Sequence, residues 1–346
     1  MKKSLLFGFA VALTLASCTT NDDVLDTAMQ TPMEFSSFVN KGTKAPIGND
    51  GDSAITAHQF GVWGYKYKSS ISTPETKDFV TVFGNIPVRH DGVAWTYITG
   101  NEKLRYWDKT CTYDFYAYAP KETLTATSSK TATTTTLTVS NFNVNNVATP
   151  RTGDNPTKYM DHTDLLIADA IERCVDYNNS QKFTFRHVLS NVSINVKKKA
   201  GFAGDVKFTS AVLREVTNKA TSYVHTFTKA QGVDQNQGSS TWNISTSGHT
   251  SNFSSAQHTT TVISEEGIPL FTEMLMIPQR IGESTFDIVY TINGETFTRT
   301  LNFAGTWAAN QKITYNIEIS ANAIEFGVTT VTDWTTPGTT VTPSID

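Results

Sequence analysis

The chain has 346 residues, of which 17% are charged, and its formal net charge is -4 at pH 7. This balance argues against a broad basic surface for nucleic acid, and the length favours two domains. Three cysteines are too few for a disulfide framework, so hydrophobic cores must stabilise the fold. Cys111 and Cys174 can form one disulfide or remain two buried thiols, and their spacing does not decide between these alternatives.

Residues 1–18 have the pattern of a lipoprotein signal. Two lysines follow the first methionine, and the stretch 4–17 carries no charge. This run is too short to span a bilayer as a helix, for which about 20 residues are needed, and is typical of a secretory signal. The letters LASC at 15–18 match the bacterial lipobox, in which the cysteine becomes the lipidated N-terminus. We therefore expect Cys18 to anchor the chain to a membrane, the alternative being an ordinary signal peptide with a cysteine at the cut.

The next segment contains a tether, a first strand and an exposed linker. Residues 19–31 lack apolar periodicity and are interpreted as the tether. Residues 33–39 (MEFSSFV) are predicted to form the first strand. The stretch 41–46 (KGTKAP) is turn-prone, and proteolysis concentrates in exposed segments of this composition. Within it, Lys44 is the favoured processing position and Lys41 the second.

The chain that follows has the pattern of β-strands. Residues 59–67 (QFGVWGYKY) are bulky on both faces, as expected for a strand packed on two sides. Residues 113–117 place alternate apolar side chains on one face, and the Thr-rich stretch 123–139 favours strand because Thr is β-branched. No segment sustains a helical apolar stripe for three turns. We therefore predict an all-β fold, and short strands separated by turns indicate sandwiches or barrels.

The stretch 183–196 (FTFRHVLSNVSINV) indicates where two domains meet. Phe183, Phe185, His187 and Leu189 share odd positions, whereas the apolar residues at 192, 194 and 196 share even positions. A strand cannot change its buried face in this way without a bulge or a new environment. We therefore predict an N-terminal sandwich over 32–180 and a C-terminal sandwich over 181–346. A bulge inside one domain is the alternative.

The last part of the chain contains the clearest strand patterns. Apolar and polar residues alternate over 286–292, and Asn293-Gly294 follows as the strongest short hairpin signal. The return strand places Phe297 and Leu301 on one face, interrupted by Arg299. Apolar residues at 313, 315, 317 and 319 alternate with polar ones, which predicts a half-buried strand.

Residues that could carry chemistry show no catalytic arrangement. The seven histidines are scattered without zinc-ligand spacing, and no nucleophile elbow, P-loop or dinucleotide fingerprint occurs. The stretch 49–52 (NDGD) lacks the ligand spacing of a calcium loop and is interpreted as a turn. His187 lies on an apolar face and is interpreted as a hydrogen-bonded core histidine. We predict a protein that is not an enzyme and has no cofactor or metal.

The tryptophans bear on a possible sugar-binding surface. Trp63 and Trp334 lie within apolar strand patterns and are predicted to be core residues. Trp95 and Trp107 flank turn-like segments, and the pattern leaves them open between core and an exposed aromatic platform.

Several stretches together resemble the fimbrillin family, the pilus subunits of Bacteroidales. They run in the family's order behind the lipobox and cover most of the mature chain: TKA (43–45), WTYITGNEKLRYWDKTCTYDFYAYAP (95–120), DLLIADA (164–170), FTFRHVLSNVSINV (183–196), FTEMLMIPQ (271–279), YNIEIS (315–320) and AIEFGVTTVTDW (323–334). The resemblance implies two tandem transthyretin-like β-sandwich domains and export as a lipoprotein to the surface of the outer membrane. It also implies strand exchange, in which a protease removes the first strand and a neighbour's C-terminal strand fills the groove.

The chain departs from the family pattern in two places. The best-known members are cut after an arginine, whereas the first arginine here is Arg89 and the linker offers Lys41 and Lys44. The tail after residue 334 contains two prolines and is a poor donor strand, since proline donates no backbone hydrogen bond. A better donor strand consists of Ile324, Phe326 and Val328, although these residues fit equally well as the last strand of the chain's own sandwich.

The sequence thus favours a structural subunit of a surface fimbria that supports adhesion. Its expected partners are other fimbrial subunits, a processing protease and the outer membrane, with no nucleic acid. The alternative is a surface lipoprotein that binds glycans or host ligands through a β-sandwich. Stalk, tip and anchor positions within the fimbria all remain open.

Overall fold

The computed structural model describes residues 31–39, 55–69, 78–146, 157–158, 162–173, 180–228, 237–255, 261–321, 323–327 and 329–333. The predicted all-β class is confirmed. Among these residues no helix is long and apolar enough to cross a membrane. In chain order the strands are β1 (Phe35–Val39), β2 (Gln59–Lys68), β3 (Val80–His90), β4 (Trp95–Thr96), β5 (Cys111–Ala119), β6 (Thr125–Lys130), β7 (Thr134–Asn143), β8 (Thr157–Lys158), β9 (Leu166–Arg173), β10 (Gln181–His187), β11 (Ser190–Lys198), β12 (Val206–Thr217), β13 (Lys219–Thr228), β14 (Gln237–Asn243), β15 (Thr250–Ser254), β16 (Thr261–Val262), β17 (Ile268–Met276), β18 (Gln279–Arg280), β19 (Thr285–Ile292), β20 (Glu295–Asn302), β21 (Thr306–Trp307), β22 (Gln311–Ile319), β23 (Ile324–Phe326) and β24 (Thr330–Asp333).

A seven-stranded sheet forms the first part of the fold, in the order β1-β10-β9-β5-β2-β3-β4. β1 pairs parallel with β10, and the other neighbours pair antiparallel. The sheet curls until Cα atoms of its two edge strands, β1 and β4, come within 8 Å of each other. Aromatic side chains fill its enclosed face, among them Phe60, Phe83, Tyr113, Phe115, Phe183 and Phe185.

Local sequence explains why the central strands lie in the middle of this sheet. β2 is buried on both faces over most of its length, as predicted from its bulky residues, and every residue of β5 is buried. Gly64 of β2 allows the close packing, because a Cβ at this position would lie 2.8 Å from the Phe83 ring. The rings of Phe83 on β3 and Phe115 on β5 can therefore pack directly against the backbone of β2.

A four-stranded sheet, β14-β13-β7-β6, packs against the other face of the curled sheet. Tyr116 of β5 meets Phe227 of β13 with ring centroids 4.7 Å apart. The buried Asp114 carboxylate accepts a hydrogen bond from the Lys130 ammonium group at 3.0 Å. The Thr-rich stretch supplies β6 and β7, as predicted, whereas β13 and β14 come from the later half of the chain.

Besides a two-stranded sheet, β18-β21, the remaining strands form two sheets. One has the order β23-β22-β11-β17-β8, with β24 also pairing with β22. The other has the order β15-β12-β19-β20, with β16 pairing with β12. The predicted hairpin joins β19 and β20, and Asn293 and Gly294 have φ angles of 50° and 86°. Positive φ at both central residues is the feature of a type I′ turn, which an Asn-Gly pair favours.

The shift of the apolar residues from odd to even positions within 183–196 coincides with a change of sheet. β10 pairs with β9 and β1, whereas β11 pairs with β17 and β22. The chain therefore moves from one sheet to the next between His187 and Ser190, later than the proposed boundary at 180. Division into two domains stays a prediction, and the pairing of β13 with β7 joins residues from both predicted halves in one sheet.

Candidate assembly site

β1 is an edge strand that is attached to the seven-stranded sheet on one side. Its backbone pairs with β10 from Phe35 to Val39. Just before it, Met33 N–H donates to the Arg105 carbonyl at 2.8 Å, and Trp107 N–H donates to the Thr31 carbonyl at 3.1 Å. The predicted first strand is therefore confirmed, and a single parallel ladder holds most of its length.

Phe35 fixes β1 to the enclosed core. Its side chain is 4% exposed, and its ring centroid lies 5.0 Å from that of Phe83 and 5.7 Å from those of Tyr97 and Phe183. Ser36, the next residue along the strand, points to the other face and is more exposed than Phe35, as expected at the edge of a sheet with one covered face. Removal of β1 would leave these rings and the edge of β10 without their partner.

The candidate donor residues lie at the edge of a different sheet. Ile324 and Phe326 belong to β23, which pairs antiparallel with β22, and both side chains are half-buried. The Phe326 ring lies 5.2 Å from that of Phe303 and 5.7 Å from that of Tyr315. In this structure they thus complete the chain's own sheet. Val328 lies outside the described residues.

Several predicted positions fall on residues that the structure does not describe. They are Cys18, Lys41, Lys44, the turn at 49–52, Cys174 and Trp334. Their proposed roles stay predictions. Cys111 is described, and it is a buried free thiol whose Sγ lies 3.2 Å from Asp108 Oδ2.

His187 is a buried core histidine, as predicted. Its Nδ1 lies 2.8 Å from Asp164 Oδ2, and both side chains are almost completely enclosed. In the described part of the chain, no group of three or more His, Cys, Asp or Glu side chains could hold a metal ion.

A polar network between the curled sheet and the four-stranded sheet was not apparent from sequence. Arg186 of β10 donates from Nη2 to His225 Nε2 at 3.3 Å. Because a guanidinium only donates, His225 must accept at Nε2 and donate from Nδ1, which lies 2.8 Å from Ser240 Oγ. Burial raises the pKa of Tyr223, which also contacts Ser240, to about 12. Arg186 occupies a polar position of its strand, and no local signal indicates that another sheet covers it.

A profile of fimbrillin-like proteins matches residues 43–334 of the chain. The chain belongs to the fimbrillin-like family. This confirms the resemblance, and as a fimbrillin-like protein the chain is structural rather than catalytic. Membership of this family makes it a fimbrial protein of the cell surface.

Solved structures that are similar to this fimbrillin-like protein come from Bacteroides and Parabacteroides species. A candidate cell-adhesion protein from Bacteroides uniformis is 18% identical, with a TM-score of 0.46, and the match covers 89% of this chain and 99% of that one. Another candidate cell-adhesion protein, from Bacteroides ovatus, is 16% identical with a TM-score of 0.49, over 88% and 98% of the two chains. A fimbrial assembly protein from Parabacteroides distasonis is 9% identical with a TM-score of 0.33, over 88% and 96%. A comparison with curated proteins found no match.

Proposed function

We propose that this fimbrillin-like protein is a lipid-anchored fimbrial subunit that polymerises by protease-triggered strand exchange. The observation that supports this proposal is the attachment of β1: an edge strand held by one parallel ladder and by Phe35 in an aromatic core. A strand held in this way can be replaced by another strand of similar pattern.

The physical basis is strand addition at an edge. Loss of β1 leaves N–H and C=O groups of β10 unpaired and exposes the rings of Phe83, Tyr97 and Phe183 to water. Such an edge pairs readily with an extended segment, whose backbone hydrogen bonds contribute affinity and whose alternate side chains contribute specificity. The alternating residues at 324, 326 and 328 of a neighbouring subunit have the required pattern, provided that β23 leaves its own sheet.

The linker after β1 provides the test of this proposal. Mild trypsin treatment of the purified mature protein is expected to cut after Lys44 or Lys41 and to convert monomer into oligomers, measured by size-exclusion chromatography with light scattering. The Lys41→Gln, Lys44→Gln double variant should stay monomeric under the same treatment. A cleaved protein that has lost β1 and stays monomeric at high concentration would contradict strand exchange.

Lipid anchoring is tested separately from assembly. Cys18→Ala is expected to abolish incorporation of a labelled fatty acid and to release the protein from the membrane fraction, because several acyl chains on one residue contribute about 0.8 kcal/mol per buried CH₂. Cys111→Ala serves as the control and should leave labelling unchanged. Absence of label in the wild-type protein would show that the cysteine at position 18 is only part of an ordinary signal peptide.

A further inference from the structure

An open groove lies between β1 and the hairpin formed by β3 and β4, and we name it the β1–β4 groove. Its volume is about 550 Å³, which falls within the range of small-molecule sites. Glu34 and Ser36 line the wall on the β1 side. His90, Asp91 and Trp95 line the opposite wall.

Trp95 supplies an aromatic surface to this groove. Of the two tryptophans that the sequence left open, Trp107 is buried in the core, whereas Trp95 is half-buried and lines the groove. The Trp95 ring packs against the Phe60 ring, with centroids 4.9 Å apart, and against the His90 ring, with centroids 5.3 Å apart. The site therefore contains a tryptophan in a fixed position with part of its surface in contact with solvent.

Three polar groups around the tryptophan have defined hydrogen-bonding roles. No hydrogen bond or ion pair to another described residue engages the exposed Glu34 carboxylate. Asp91 Oδ1 accepts from the N–H groups of Val93 and Ala94 at 2.9 Å, which holds the loop and leaves Oδ2 as an acceptor. These bonds keep the pKa of Asp91 below its usual value, so the carboxylate stays charged. His90 Nδ1 accepts from Gly92 N–H at 3.2 Å, so the neutral ring carries its proton on Nε2 and can donate.

Apolar side chains on the same hairpin and the loop after it extend the groove outward. Val93 is 91% exposed, Ile98 is 51% exposed and Leu104 is 38% exposed, and all three line the groove. Exposed apolar residues that cluster beside a polar site indicate a binding surface more than residues scattered singly do.

The spacing of the edge strands excludes a peptide strand that pairs with both of them. Two strands that hold a third between them stand about 9.6 Å apart, twice the ordinary inter-strand spacing. Cα atoms of β1 and β4 approach to within 8 Å. An extended peptide therefore cannot pair with both edges, whereas a flat ligand can lie in the open part of the groove.

We propose that the β1–β4 groove binds a neutral oligosaccharide built of pyranose units. Pyranose rings present a C–H face that packs on Trp95 and on the apolar residues beside it. Their hydroxyl groups donate to the carboxylates of Glu34 and Asp91 and accept from His90 Nε2–H. The two carboxylates repel acidic sugars, so charge complementarity selects neutral ones.

β1 forms one wall of the groove, so the sugar site exists only in the form of the protein that retains β1. If β1 is exchanged as proposed above, Glu34 and Ser36 leave with it and the site is dismantled. By linkage, a sugar that binds only the intact form stabilises β1 against removal. This coupling rests on the proposed function, whereas the sugar site itself does not.

The test uses the full mature chain with Lys41→Gln and Lys44→Gln, which keeps β1 in place. Isothermal titration is carried out with maltotriose, cellotriose, mannotriose, triacetylchitotriose and lactose, and with 3′-sialyllactose as the acidic counterpart of lactose. At least one neutral sugar is expected to bind with a Kd of millimolar or below, and 3′-sialyllactose is expected not to bind. Trp95→Ala should weaken binding at least tenfold, and Glu34→Gln, a change at an exposed side chain that preserves the fold, should weaken it several-fold.

Trp242→Ala is the matched control, because this tryptophan lies on β14, outside the groove lining, and should leave the Kd unchanged. Binding that survives both Trp95→Ala and Glu34→Gln would overturn the proposal. So would preference for 3′-sialyllactose, or the absence of binding by every neutral sugar in the panel at millimolar concentration. Oligomer formation after trypsin is measured independently, so failure here does not bear on strand exchange.

Discussion

Replacing Ile317 by Asp is expected to unfold the sheets built from the C-terminal half of the chain. Ile317 is fully buried in β22, where it lies between Val196 of β11 and Phe326 of β23. A carboxylate without a partner in this position costs several kcal/mol, against a total stability of about 5–15 kcal/mol for a domain. Loss of the cooperative transition in a urea titration followed by circular dichroism would show the effect.

The neighbouring residue supplies the control for this substitution. Asn316 lies on the opposite face of β22, and its Oδ1 accepts from Asn195 Nδ2 at 3.1 Å. Asn316→Asp introduces the same charge next to a donor and half in water, so the stability should change by about 1 kcal/mol or less. Equal tolerance of the two substitutions would show that the assignment of buried and exposed faces in β22 is wrong.

Phe35→Ala is expected to destabilise the seven-stranded sheet by about 3–5 kcal/mol, the usual range for a buried Phe replaced by Ala. The effect has two sources: the lost contacts with the rings of Phe83, Tyr97 and Phe183, and the cavity left at the sheet edge. Thermal unfolding measured by calorimetry checks the magnitude. Amide hydrogen exchange of β1 and β10 should accelerate first, because β1 has pairing on one side only.

Ser37, two residues further along β1, is the matched control for Phe35. Its Oγ is buried and has no hydrogen-bond partner among the described residues. Ser37→Ala removes a buried hydroxyl group that is desolvated without a compensating hydrogen bond to a described residue. The free energy of unfolding should therefore stay the same or rise slightly. If Phe35→Ala leaves both the melting temperature and the exchange of β1 unchanged, the ring does not hold the strand, and the basis for strand exchange is lost.

Local patterns in the sequence predicted the individual strands well. Alternation over 313–319 located the buried face of β22, Asn293-Gly294 located a hairpin, and bulky residues over 59–67 indicated a strand covered on both sides. Each of these features depends on neighbours a few residues apart. A period of two residues reports which face of a strand is apolar, and an Asn-Gly pair adopts the backbone angles of a tight turn wherever it occurs.

The same patterns could not predict the partners of each strand. The pairing of β13 with β7 joins segments that the sequence assigned to separate halves, and it brings the buried His225 within hydrogen-bonding distance of the half-buried Arg186 on another sheet. Arg186 occupies a position that local alternation marks as polar, whereas His225 lies on the same buried face of β13 as Tyr223 and Phe227. Hydrophobic periodicity contains no information on which distant strand lies alongside, because that choice depends on long-range packing.

The sequence by itself determined the β class and the family resemblance, since each is a pattern of residues close together in the chain. Only the tertiary structure decided whether Trp95 and Trp107 are buried in the core or in contact with solvent. Trp107 is covered because its ring meets Tyr113 at 4.8 Å and Phe115 at 5.7 Å, whereas Trp95 lines a groove that exists because the edges β1 and β4 approach each other. The reason is physical: the burial of a side chain depends on what the whole chain brings against it, and the curl of a seven-stranded sheet is not encoded within any one strand.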